Sequence, residues 1–105
     1  MNDEFYDLHN YVGFFKINKQ GDITTNKSKK LLKKLKTSDN YIEVCLCKNK
    51  YKKFFKIHLL VANQFLQNPH NYKYVEHIDK NKENNRLSNL KFVENLNNEI
   101  IVTFG

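Results

Sequence analysis

A chain of 105 residues with 40% apolar content and a net charge of +7 has room for one domain around a modest hydrophobic core. Eight Phe and six Tyr argue against disorder, and no apolar run approaches the roughly 20 residues of a membrane-spanning helix. The acidic, polar opening MNDEFYDLHN excludes a secretory signal, so the sequence reads as that of a soluble, intracellular protein with no membrane partner.

The charge is unevenly placed. Between Asn26 and Lys56 eleven Lys stand against Asp39 and Glu43, a local balance of +9 that leaves −2 for the remainder. Such a polycationic segment suits a phosphate backbone or an anionic membrane surface, and nucleic acid is the stronger reading. Lys and Asn are frequent throughout, which AT-rich coding would also produce. Cys45 and Cys47 share one face of a strand, where a bridge would need a strained ring. With no Cys-x-x-Cys pair, a structural zinc is excluded and both thiols read as reduced.

In chain order, YVGFFKINKQGDITT reads as a hairpin turning at Lys-Gln-Gly-Asp. KSKKLLKKLKTSD has helical spacing at Leu31, Leu32 and Leu35, but a basic strand or an irregular arm fits equally. YIEVCLCKNKYKKFFKI reads as a second hairpin, with Ile42, Val44 and Leu46 on one face and the turn at Lys48-Asn49-Lys50. HLLVANQFLQNP predicts a helix from His58 to about Leu66, stopped by Pro69, with Leu60, Val61, Phe65 and Leu66 as its buried stripe. KYVEHI is a strand, DKNKENNRLSN a loop, LKFVE a strand, and NLNNEIIV a closing helix with Asn95 as its N-cap.

The last third, VEHIDKNKENNRLSNLKFVENLNN, resembles the HNH endonuclease motif, whose fold is a ββα-metal finger. IHLLVANQFLQNP is similar to the helix preceding that motif in phage and viral intron-encoded HNH homing endonucleases, and FYDLHNYVGFFKINKQGDI to their N-terminal nuclease-associated DNA-binding module. These blocks cover nearly the whole chain. The resemblance implies an α+β fold: N-terminal antiparallel β-hairpins and a short helix, then a C-terminal ββα-metal motif. Residues 1–56 would form a β-rich basic DNA-binding region and residues 57–105 the nuclease region of one compact unit.

Carried over, the resemblance makes His77 the general base that activates water. Asn89 becomes the middle residue, tying down the loop and orienting the imidazole. Asn98 and Glu76 become ligands of one divalent metal ion, Mg²⁺ first and Mn²⁺ as the alternative. Elementary chemistry agrees. Hydrolysis of a phosphodiester needs an activated water, a cation for phosphate and leaving oxygen, and in-line positioning. Histidine exchanges protons close to neutral pH. A carboxylate with an amide oxygen leaves most of a Mg²⁺ shell open to water and phosphate.

A regular strand would point Glu76 and His77 to opposite faces, which makes Asp79 the reserve ligand. His77 could instead cap the loop, Asn89 brace a turn and Asn98 satisfy a helix end. His58 reads as a packing or hydrogen-bonding residue. The chain departs from the family in carrying Glu76 for Asp, Lys80 for Gly and Leu59 for Arg, and Gly105 falls soon after the motif, before any helix-turn-helix region.

The expected function is a metal-dependent endonuclease that nicks double-stranded DNA as a monomer, virus- or phage-encoded and acting in the host cell. Lys29, Lys30, Lys33, Lys34, Lys36, Lys50, Lys52 and Lys53 would grip phosphates. The alternative is a decayed, non-cleaving DNA-binding protein. A general RNA-binding protein ranks third, because no exposed stacking platform is recognisable.

Overall fold

The computed structural model describes residues 4 to 96. Strands β1 (Tyr6–Asp7), β2 (Phe15–Ile17) and β3 (Ile23–Thr25) form an antiparallel sheet in that order. The β2–β3 turn is held by Asn18, whose Oδ1 accepts from the amides of Gln20 at 3.0 Å and Asp22 at 2.8 Å. Gly21 takes φ +90° there, a value that only glycine adopts freely.

The basic segment is neither helix nor free arm. Leu31 makes an isolated bridge to Thr24, and β4 (Leu35–Lys36) pairs with the edge of β5 (Ile42–Lys48). Leu31 is 61% exposed, so its helical spacing from Leu35 marks no buried face. Strand pairing decides the segment, and pairing is a tertiary property that local spacing does not carry.

β5 and β6 (Tyr51–Lys56) form the second hairpin. Its turn is the two residues Asn49 and Lys50, both at positive φ, while Lys48 belongs to the strand. Val44 and Leu46 point inward as their alternation predicts.

Helix α1 (Ile57–Phe65) follows without a loop and lies centrally, touching β5, β6 and the last sheet. Its buried residues are Ile57, His58, Val61 and Ala62. Leu60, Phe65 and Leu66 are only partly buried, so the core stripe is rotated from the expected one toward the residues that meet Val44, Leu46, Val75 and Leu90. The chain closes on β7 (Tyr74–His77) paired antiparallel with β8 (Leu90–Val93), His77 opposite Leu90. The expected closing helix lies outside the described residues.

Two contacts join the first hairpin to the β7–β8 loop. The amide of Leu87 donates to the Lys19 carbonyl at 2.8 Å. A Cβ on Gly21 would stand 3.0 Å from Ile57 Cγ2 and 3.6 Å from Asn85 Cβ, so the turn presses on both the helix and the loop.

Candidate active site

β7 carries Glu76 and His77 to the mouth of a cavity of about 170 Å³, which Tyr41, Lys80, Lys82 and Leu96 also line. His77 is buried and Glu76 half-buried, so the strand's alternation holds, yet both border one space. The strand ends at His77, and the expected obstacle of opposite faces is removed by that ending.

The imidazole of His77 is held by an amide the sequence reading missed. Asn85 Oδ1 lies 2.7 Å from His77 Nε2, so Nε2 carries the proton and donates. Nδ1, which carries the lone pair when the ring is neutral, has no hydrogen-bond partner among the described residues. A ring fixed through one nitrogen with the other free is the arrangement that a general base requires.

Asn89 braces the loop. Its Oδ1 accepts from the Asp79 amide at 3.0 Å, and its Nδ2 donates to Asp79 Oδ1 at 2.9 Å and the Asn84 carbonyl at 2.8 Å. Among the described residues the side-chain hydrogen bond of the imidazole is to Asn85 and not to Asn89.

The reserve ligand, Asp79, is not among the cavity's lining residues. Its carboxylate also accepts from the Asn81 amide and from Asn84 Nδ2, both at 2.8 Å. These bonds from Asn84, Asn81 and Asn89 hold its pKa below the usual carboxylate range. Asp79 thus organises the loop. Asn98 lies outside the described residues.

Behind His77 stands an aromatic stack. The His58 ring lies 4.7 Å from that of His77 and 5.0 Å from Tyr41, nearly parallel to the latter. His58 is buried, and its Nδ1 has no partner among the described residues. Burial, then the neighbouring His77 and Lys56, push its pKa down to about 4. It therefore packs as a neutral ring, as the sequence suggested. Lys82 and Lys56 place their ammonium groups 4.4 and 5.5 Å from the Tyr41 ring centre.

All eight lysines expected on DNA are exposed. Two of them are paired, Lys34 with Asp22 and Lys36 with Glu83, both at 2.8 Å. Lys53 is opposite Leu46 and shares the inner side of the hairpin with Phe55, whereas Lys52 and Phe54 point outward. Tyr51 and Phe54 are large exposed aromatics beside these cations.

No family model matches the chain. Individual proteins do. An uncharacterized HNH endonuclease of Acanthamoeba polyphaga mimivirus is 41% identical over 76 residues, 72% of this chain and 23% of the relative. DNA endonuclease I-HmuI of Bacillus phage SP01 is 34% identical over 90 residues, 86% of this chain and 52% of its own length. The solved structure of the HNH homing endonuclease I-HmuI, a study of DNA binding and cleavage, matches with a TM-score of 0.82 at 33% identity, covering 95% of this chain and 56% of that one. The chain is similar to HNH endonucleases over most of its own length. The likeness bears out the expected α+β architecture. The chain spans about half the length of I-HmuI and about a quarter of the mimivirus relative.

The residues of the chain fit a hard dication. Among the described residues Glu76 is the only carboxylate lining the cavity, and no three His, Cys, Asp or Glu side chains cluster as a closed metal site. One carboxylate leaves coordination positions for water and phosphate oxygen, the pattern that suits Mg²⁺. Among the same residues no helix is long and apolar enough to cross a membrane.

Proposed function

We propose that this chain is a DNA endonuclease that hydrolyses phosphodiester bonds in double-stranded DNA, with His77 as the general base. The carrying observation is the buried bond from His77 Nε2 to Asn85, in a residue that borders a cavity shared with Glu76. Nδ1 takes a proton from water, and the neutral His58 behind the ring adds no charge against the imidazolium that forms. Asn89 and Asp79 keep the loop closed, so that Asn85 stays in place.

Glu76 and Asn98 would hold one divalent ion, Mg²⁺ or Mn²⁺, which when bound supplies a Lewis acid for the phosphate and the leaving oxygen. One base in one chain supports nicking by a monomer. The viral and phage relatives support a virus- or phage-encoded enzyme.

The test is supercoiled plasmid incubated with Mg²⁺ or Mn²⁺. Wild type nicks it, and His77→Ala does not, while binding to the same DNA persists. A His77→Ala protein that cuts at the wild-type rate removes His77 as the base. Salt-sensitive binding by a wild type that cuts in neither metal makes the chain a non-cleaving DNA-binding protein.

A further inference from the structure

We infer that Lys80 and Lys82 form a phosphate-gripping ridge beside the candidate site, holding the DNA backbone next to the bond presented to His77. The inference rests on the endonuclease reading and names how this chain would hold its substrate there.

Both lysines line two cavities. One is the space of about 170 Å³ bordered by Glu76 and His77. The other, of about 410 Å³, is bordered by Lys36, Asn40, Asn81 and Glu83. They therefore stand where a strand leaving the site would cross from one hollow to the next. Among the described residues neither ammonium pairs with a carboxylate.

Of the acids nearby, Glu83 and Asp79 are engaged elsewhere, and Asp39 accepts from the Thr37 hydroxyl while its charge is felt by Lys82. Glu83 binds Lys36, and the Asp79 carboxylate is taken up by three loop groups. Lys82 is held in place by the Asp39 carbonyl at 3.0 Å and by the face of Tyr41, and an ammonium keeps two further donors for a phosphate.

Lys80 carries a second sign. It sits at φ +66° in a turn closed by its amide on the His77 carbonyl at 3.0 Å. Glycine would take that conformation without strain, and asparagine with little, but lysine has no short side chain to ease it. The left-handed residues here other than Asn and Gly are Lys29, Lys50 and Lys80, and only Lys80 borders the cavity of His77. A strained residue at a site is a reason to ask what its side chain does. Here it brings a cation to where a phosphodiester would lie, as phosphoryl chemistry needs.

The experiment is the salt dependence of binding to a short DNA duplex without divalent metal, beside plasmid nicking with Mg²⁺. Lys80→Gln and Lys80→Gly should each flatten the slope of log K against log salt by about 1, and Lys80→Gln with Lys82→Gln by about 2. Lys80→Arg should restore most of the slope. Lys80→Gly should also nick more slowly, on the order of tenfold, while its thermal midpoint holds or rises because glycine relaxes the turn. A purely structural lysine would not separate rate from stability in that way.

An unchanged slope in both single variants overturns the ridge and leaves the endonuclease reading standing. A Lys80→Gly protein that loses rate and thermal midpoint together also overturns it. If wild type binds but does not nick, the cleavage reading fails, and the slopes alone decide the ridge. A wild type that does not bind the duplex ends both.

Discussion

The side-chain oxygen of Asn85 lies 2.7 Å from Nε2 of His77, and both residues are buried. Asn85→Ala would leave a buried N–H without an acceptor, a cost of about 1–3 kcal/mol. The ring would also be free to turn away from the cavity, and misplacement by about 1 Å can lower a rate about a hundredfold. Nicking should therefore fall by one to two orders of magnitude (roughly) in a protein that remains folded in urea titration. Wild-type nicking by Asn85→Ala would show that the ring is held by something else.

Asn89 should matter more to folding than to chemistry. Asn89→Ala removes three hydrogen bonds from a buried position, two to Asp79 and one to the Asn84 carbonyl. The expected loss is about 2–4 kcal/mol, read as a lower urea midpoint. A midpoint within experimental error of wild type would mean that the loop is closed without it.

His58 gives the protein an acid limit. Its pKa in the fold is pushed down by burial to about 4, from an ordinary value of 6.5. Between those values the unfolded chain binds a proton that the folded chain refuses. The contribution is therefore complete above the unfolded value and is lost as pH falls toward the folded one, a decline of ~2–3 kcal/mol. His58→Phe keeps an aromatic ring between Tyr41 and His77 and removes the titration. Stability measured across this window should slope for wild type and lie flatter for the variant. Equal slopes would place the acid sensitivity elsewhere.

Glu76 can be tested through the metal. Glu76→Gln keeps the size of the side chain and removes its charge, so nicking should need far more Mg²⁺ or vanish. Glu76→Asp draws the carboxylate back by ~1 Å and should change the Mg²⁺ concentration for half-maximal nicking. Identical Mg²⁺ titrations for wild type and both variants would remove Glu76 from the metal's shell.

The hairpins, the helix and the β7–β8 pair were legible because each carries its own period or turn residues. The segment around Leu31 and Leu35 was not, since pairing with Thr24 and β5 decides it. At the site, Glu76, His77 and Asn89 stood out through motif order. Asn85 did not: the loop holds Asn81, Asn84, Asn85 and Asn89, and a loop has no period to rank them. Which amide meets the imidazole depends on how Asp79 and Asn89 fold the loop back. Many of the remaining asparagines also have work unrelated to chemistry. Asn10, Asn40, Asn49 and Asn71 occupy left-handed turns, a conformation that asparagine adopts at little cost.

The bare backbone of Gly21 against Asn85, with the Lys19 carbonyl bonded to Leu87, makes the opening hairpin a wall of the β7–β8 loop. The N-terminal sheet thus shares a packed boundary with the segment that follows the helix. A fragment cut at the end of the basic stretch would expose to water one side of the very asparagine that steadies the imidazole. Evolution could exchange the front of such a molecule only together with the turn that props its rear.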